Sequence, residues 1–218
     1  MRLRASNIAV ERGGRRLFSN LSFEVARGEA LLVVGPNGVG KSSLLRAIVG
    51  LLPLADGALS REGCDPDASL AEGAHYVGHA DALKGALTAR ENLEFWAAML
   101  APFPTSRAET GEGALKGPMN AAQALDRLGL PRVLDLPVHA LSAGQKRRVA
   151  LARILVAERP LWILDEPLTA LDEEAERLFV GVLGEHLAAG GLLVAATHAA
   201  IDLAGASQLR LGEAGVSL

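Results

Sequence analysis

Ala30-Leu31-Leu32-Val33-Val34-Gly35-Pro36-Asn37-Gly38-Val39-Gly40-Lys41-Ser42-Ser43 joins an apolar run to a glycine-rich turn that ends in lysine and serine. The run, bounded by Glu29 and Gly35, has the pattern of a strand buried on both faces of a parallel sheet, because a strand with one solvated face would alternate. The turn places four residues between Gly35 and Gly40 and follows them with Lys41 and Ser42, the spacing of a phosphate-binding loop. Glycines let the backbone curl so that successive N–H groups point inward at phosphate oxygens. Lys41 supplies a cation for the β and γ phosphates, Ser42 offers a hydroxyl to Mg²⁺, and a following helix directs its positive end at the anion. Gly35 through Ser43 are therefore the candidate nucleotide-binding residues. The helix is expected over Leu44–Leu52, stopped by Pro53.

Outward from this stretch the chain keeps the same grammar. Leu161-Trp162-Ile163-Leu164 is a second buried-strand run, ending in Asp165-Glu166, and Leu192-Leu193-Val194-Ala195-Ala196 is a third. A helix expected over Glu173–Leu187 lies between them, so these strands pair in parallel through a right-handed crossover. Upstream, Ile8–Val25 reads as two short strands around the polar turn Glu11–Arg16, a hairpin. In the middle, Gly73–Val77 suits a short strand. Thr88-Ala89-Arg90-Glu91 has capping-box spacing ahead of Leu93, Phe95, Trp96, Met99 and Leu100. Ala101–Asn120, rich in Pro, Gly, Thr and Glu, reads as a loop, Ala121–Leu130 returns to helical spacing, and Val149–Val156 reads as a helix.

Composition bounds the function. With 218 residues, 50% hydrophobic and 22% charged, the chain has a core and is neither disordered nor fibrous. Lysine and arginine number 22 against 25 acids, a net charge of −3 that carries no nucleic-acid footprint. The single cysteine, Cys64, cannot form an internal disulfide. The N-terminus reaches Glu11 without an apolar stretch of signal-peptide length, and the most apolar stretch, Leu187–Ile201, is too short and too polar to span a bilayer. No direct membrane insertion is expected, so any membrane role comes through a partner.

Carboxylates at the carboxyl end of a buried strand sit in the crevice that α/β sheets use for ligands. Asp165 is thereby placed to hold Mg²⁺ through water, with Ser42, and Glu166 to act as general base toward the attacking water. Alone, the pair before Pro167 reads equally well as an acidic helix cap; the company of Lys41 and Ser42 favours the metal and the base.

Between loop and acid strand, Leu141-Ser142-Ala143-Gly144-Gln145-Lys146-Arg147-Arg148-Val149-Ala150-Leu151-Ala152-Arg153 closely resembles the signature stretch of ABC-type ATPases, with Ala143 where glycine is usual. Asp165-Glu166-Pro167-Leu168-Thr169-Ala170-Leu171-Asp172 resembles that family's acid strand and D-loop, which ends here at Asp172. Thr197-His198 resembles its switch histidine. The four blocks stand in the family's order and cover essentially the whole chain. The resemblance implies an α/β fold: a P-loop NTPase core with a mostly parallel sheet, an N-terminal antiparallel β part and an inserted helical subdomain. That makes a single domain over 1–218, with core parts 1–80 and 141–218 and the helical part 81–140.

For activity the resemblance implies an ATPase using ATP and Mg²⁺, in which two copies sandwich the nucleotides and each phosphate loop faces the other copy's Leu141, Ser142, Ala143, Gly144 and Gln145. Ser142 and the Gly144 backbone, at a helix N-terminus, would make a γ-phosphate site. Since one chain holds one loop and one signature, a homodimer on ATP binding is expected. His198 would contact the γ-phosphate and orient the water with Glu166.

Two positions depart from the family pattern. Arg12 stands where an adenine-stacking aromatic is usual, and a guanidinium can stack instead. His79 stands where most members carry the glutamine that couples the γ-phosphate to the transport partner. Val77-Gly78-His79, Leu87–Trp96, Leu141–Gln145 and Leu161–Pro167 together look like the ATP-binding subunits of haem exporters in cytochrome c maturation. That resemblance implies integral membrane partners of the CcmB and CcmC type, a peripheral position on the cytoplasmic face of the inner membrane, and hydrolysis used to release a haem-loaded chaperone. His75, His79, His139, His186 and His198 form no haem-attachment motif. Phe95 and Trp96 are candidates for the groove that docks the membrane subunit, with core packing the stronger expectation for Trp96. Lys146-Arg147-Arg148 reads as a solvated helix face. Two rival readings stand beside this one: the ATPase of another ABC transporter, and a soluble ABC-type regulator or assembly adaptor.

Overall fold

A computed structural model describes residues 1–62, 71–100, 117–198 and 201–212. Cys64 and residues 101–116 of the expected loop lie outside the described residues. The chain begins with strands β1 (Arg2–Arg12) and β2 (Arg15–Ala26), followed by β3 (Ala30–Val34) and helix α1 (Lys41–Ile48). Then come β4 (Asp56–Glu62), β5 (Ala74–Val77), α2 (Ala89–Met99) and α3 (Ala121–Arg127), with a 3-10 turn at Val138–Ala140. The remainder is α4 (Ala143–Ala152), β6 (Leu161–Asp165), α5 (Glu173–Ala188), β7 (Leu192–Ala196) and β8 (Ser207–Arg210).

Two sheets result. One is antiparallel, in the order β2-β1-β4; the other has the order β5-β6-β7-β3-β8 and its paired strands are all parallel. The hairpin strands are much longer than the apolar pattern suggested. Leu3 and Ala5 are buried while Arg2, Arg4 and Ser6 beside them are exposed, and the alternation then breaks at Asn7, where a positive φ of 49° and a register shift between Ala5 and Ile8 form a bulge. β4 and β8 carry too little apolar pattern to be read from sequence. β4 is largely exposed, and only Leu209 of β8 is buried.

The buried runs divide their side chains between two cores. Leu31 and Val33 of β3, Ile163 of β6 and Val194 of β7 point to one face, where Leu44, Leu45 and Ile48 of α1 and the antiparallel sheet cover them. Ala30, Leu32, Trp162, Leu164, Leu193 and Ala195 point to the other, against Phe179, Val182 and Leu183 of α5 and Val149, Leu151 and Ala152 of α4. Burial on both faces is why these strands read as continuous apolar runs.

Helix boundaries differ from the sequence reading where backbone, not apolar pattern, sets them. α1 starts at Lys41 rather than Leu44, because Gly40 with φ 114° turns the loop directly into the helix, and it ends before Gly50 (φ 73°) rather than at Pro53. α4 starts at Ala143, capped by Ser142, and stops at Ala152. Thr88 and Glu91 form the capping box of α2 as the spacing predicts. On α2 Trp96 packs half-buried against the core under the Arg153 guanidinium, 4.8 Å from its ring centroid, while Phe95 is 46% exposed. No helix among the described residues is long and apolar enough to cross a membrane.

Two histidines inside the core were not singled out by the sequence. His75 donates from Nε2 to the Ala157 carbonyl at 2.6 Å, and burial lowers its pKa to about 3. His186 stacks on Trp162 with ring centroids 3.7 Å apart and planes 6° from parallel; burial lowers its pKa to about 4. Both are neutral in the folded chain at pH 7. In the unfolded chain each takes up a proton near its ordinary value of 6.5. Below that pH the unfolded chain binds more protons, so stability falls with acidification until the folded-state values are reached, by up to about 1.4 kcal/mol per pH unit for each histidine. Urea unfolding between pH 6.5 and 4.5 is expected to show this loss, with a shallower slope for His186→Phe, which keeps an aromatic ring and removes the proton site. Equal slopes in the two proteins would show that His186 does not titrate on unfolding.

Candidate functional site

Parallel pairing sets β6, β7 and β3 side by side, so the segments leaving their carboxyl ends meet at one edge of the sheet. From β3 comes the glycine loop. Gly35 has φ 146°, and a Cβ there would stand 2.5 Å from the Leu211 carbonyl oxygen, so only glycine fits the turn. α1 has no side-chain cap, whereas α2, α3, α4 and α5 each have one. The first N–H groups of α1 therefore have no side-chain partner and suit an anion. Lys41 is buried, and its ammonium donates to the Gly35 carbonyl at 2.8 Å and the Pro36 carbonyl at 3.3 Å, folding back over the loop.

From β6 come the two carboxylates. Ser42 Oγ donates to Asp165 Oδ1 at 3.0 Å. Asp165 is buried, and its Oδ2 has no hydrogen-bond partner among the described residues. A buried, unpaired carboxylate oxygen is costly, and beside a hydroxyl it is the donor set a hard cation takes. The described residues hold no cluster of three or more His, Cys, Asp or Glu side chains around a metal position. A cation held here would complete its oxygen shell from phosphate and water, as Mg²⁺ does. Glu166 follows with φ 49°, a left-handed conformation unusual for a residue with a side chain.

From β7 comes His198, two residues past Ala196 and between the other two segments. Its Nε2 lies 3.1 Å from Lys41 Nζ and 3.1 Å from Glu166 Oε1, and its backbone N–H donates to Glu166 Oε2 at 3.3 Å. One ring nitrogen either carries a proton or offers a lone pair. Protonated, Nε2 donates to Glu166 and repels the ammonium; unprotonated, it accepts from Lys41 and faces the carboxylate. The two contacts exclude each other, and an anion inserted between Lys41 and His198 gives both groups a partner.

A cavity of about 580 Å³ opens over this cluster, with Asn37, Lys41, Ser42, Glu166 and His198 in its wall. Arg12 and His79 line the same cavity, placing both departures from the family pattern at the site. Among the described lining residues, none comes from Leu141–Gln145. Those residues open α4 elsewhere. Ser142 Oγ accepts from the Gln145 N–H at 3.2 Å, and as a hydroxyl it still carries a proton it can donate. Ala143 borders a second cavity with His79 and Ala170, and a Cβ on Gly144 would stand 2.8 Å from the Ala170 carbonyl oxygen. Asp172 caps α5, its carboxylate accepting from the Ala175 N–H at 2.8 Å.

One residue corrects the sequence reading. Arg147 is not on a solvated face but buried, with its guanidinium donating to backbone carbonyls at the ends of β5 and β6. In a run of three basic residues, periodicity alone gave no sign of which one points inward.

The family model for ABC transporters matches residues 18–169. The chain is 46% identical over 214 residues to a cytochrome c biogenesis ATP-binding export protein CcmA of Nitrobacter winogradskyi, covering 98% of this chain and 100% of that protein. It is 47% identical over 216 residues to the protein of that name from Mesorhizobium japonicum, covering 99% and 100%. Among solved structures, a putative ABC transporter ATP-binding protein from Pyrococcus furiosus superimposes with a TM-score of 0.75 at 17% identity, covering 95% of this chain and 97% of that one, a likeness of fold. An ATP-binding subunit of an ABC transporter superimposes with a TM-score of 0.75 at 27% identity, covering 97% and 86%.

Gly35→Ala is expected to destabilise the chain by about 1–3 kcal/mol, because its methyl group meets the Leu211 carbonyl and its φ is strained. Thermal unfolding measures it; an unchanged melting temperature would show that the turn yields.

Proposed function

Because this chain belongs to the ABC transporter family of ATP-binding proteins, we propose that it is the ATP-hydrolysing subunit of an export complex for cytochrome c biogenesis, the haem exporter. One observation carries the chemistry: Lys41, His198 and Glu166 converge beside the Ser42–Asp165 pair under one cavity. The relatives named CcmA, alike over nearly the full chain and named for ATP-binding export in cytochrome c biogenesis, support the assignment of the complex.

ATP binds with its phosphates in the loop Gly35–Ser43, the γ-phosphate taking the space where the Lys41 and His198 contacts now compete. Ser42 and Asp165 would hold Mg²⁺, which would supply positive charge against the phosphates. Glu166 accepts a proton from a water whose oxygen attacks the γ-phosphorus. The bond from that phosphorus to the bridging oxygen breaks, and the oxygen leaves with the electron pair as ADP. The backbone N–H of His198 holds the carboxylate in place while the ring faces the phosphate. Lys41, free of its Gly35 and Pro36 carbonyls, meets the transferring oxygens.

None of the described lining residues of the cavity comes from the signature stretch. A second copy supplies Leu141–Gln145, with the Ser142 hydroxyl proton and the N-terminus of α4 directed at the phosphate. The copies form a homodimer on ATP, with Asp172 at the end of each D-loop. The stretch 81–140 is the helical insert through which closure reaches integral membrane subunits of the CcmB and CcmC type, and His79 is the residue that reports the γ-phosphate to it. The protein sits peripherally on the cytoplasmic face of the inner membrane, and its hydrolysis releases the haem-loaded chaperone.

Glu166→Gln is expected to bind ATP at near-parental affinity, lower turnover by at least about a hundredfold, and accumulate as an ATP-bound dimer in size-exclusion chromatography. Parental turnover in that variant would remove Glu166 as the base. Lys41→Ala is expected to lose nucleotide binding in a titration with a fluorescent ATP analogue; unchanged affinity would contradict the cradle.

A further inference from the structure

Arg147 lies on α4, 4% exposed, and has no contact with the phosphate cavity among its described lining residues. Its Nη2 donates to the carbonyls of Asp165 at 3.0 Å and Glu166 at 2.8 Å, the two residues that end β6. Its Nη1 donates to the Gly78 carbonyl at 3.0 Å and to Asp81 Oδ1 at 3.3 Å, on either side of His79. Its Nε is buried without a partner among the described residues. One planar, charged group thus spans two backbone segments that are separate in sequence, and a guanidinium is rigid, so it fixes their separation.

Glu166 needs such an anchor. Its left-handed φ of 49° is held by its N–H donating to Ala196 at 2.9 Å, and its carbonyl accepts from Thr169 at 3.3 Å and, more closely, from Arg147. The carbonyl bond from Arg147 is charge-assisted and part-buried, the strongest of the three by kind. We propose that Arg147 is a positioning residue that sets the backbone of Glu166 and ties it to the His79 segment through Gly78 and Asp81. A shift of that segment pulls the guanidinium, and with it the aim of the carboxylate. The inference rests on Glu166 being the base and assigns to this chain a route from His79 to that base.

Lysine keeps the charge of Arg147 but has one nitrogen and cannot bridge both segments. Arg147→Lys is therefore expected to bind a fluorescent ATP analogue within about twofold of the parent while kcat falls by about tenfold to a hundredfold, the scale of a misplaced catalytic group. Asp81→Ala, at a half-exposed site, removes one arm and is expected to lower kcat by about threefold to tenfold at unchanged affinity, the loss of one charge-assisted bond. A merely structural role would lower melting temperatures and leave the kcat of the folded protein intact. Parental kcat in either variant, or losses of affinity matching those of rate, overturns the tie. If Arg147→Lys does not fold, Asp81→Ala decides alone. Glu166→Gln, measured beside them, separates the two readings. Parental turnover there overturns base and tie together, whereas a stalled Glu166→Gln with Asp81→Ala at the parental rate overturns the tie only.

Discussion

The adjacency of β6, β7 and β3 is the constraint on which the rest of the site depends. Each strand is buried on both faces, so none can slide in register without moving an apolar side chain from one core to the other. Leu31 pairs with Val194 and Ile163 pairs with the same residue from the other side, which locks the three carboxyl ends at one level. The glycine loop, the two carboxylates and His198 leave from those ends. Their convergence is therefore a product of core packing, and the charged groups at the site sit on a framework they did not have to stabilise.

On that framework the polar groups are left short of partners. Among the described residues Asp165 Oδ2 is buried and without a partner, α1 has no side-chain cap, and His198 Nε2 is offered two contacts of which it can make one. The helices α2, α3 and α4, by contrast, each carry a capping box that gives their first N–H groups a side-chain partner. A cluster of unmet polar demands at one sheet edge is what a multiply charged anion and a divalent cation would answer, and their binding would replace the mutual exclusion at His198 with two compatible contacts.

The sequence made the site more legible than the scaffold. Lys41, Ser42, Asp165 and Glu166 could be singled out because each follows a buried apolar run, and the runs are unmistakable where both faces are covered; His198 was singled out only through the resemblance to the ABC family. β4 and β8 were missed because exposed or edge strands bear no such pattern. The start of α1 was put three residues late because apolar periodicity begins at Leu44, whereas the helix begins where Gly40 turns the backbone. Arg147 was misread because three consecutive basic residues look alike in sequence. Only the packing of α4 against the ends of β5 and β6 shows which of them points inward. His75 and His186 were invisible for a related reason: a buried neutral histidine behaves as an aromatic filler, and nothing in its neighbours marks it.

The central claim is that one chain holds half of a working site and that a second copy completes it. Specific ATPase activity measured across protein concentration, with the mass of the active species followed by light scattering, tests it most directly. The account requires activity per chain to rise with concentration as a species of twice the chain mass forms in the presence of ATP. Full turnover by a species with the mass of a single chain would contradict it.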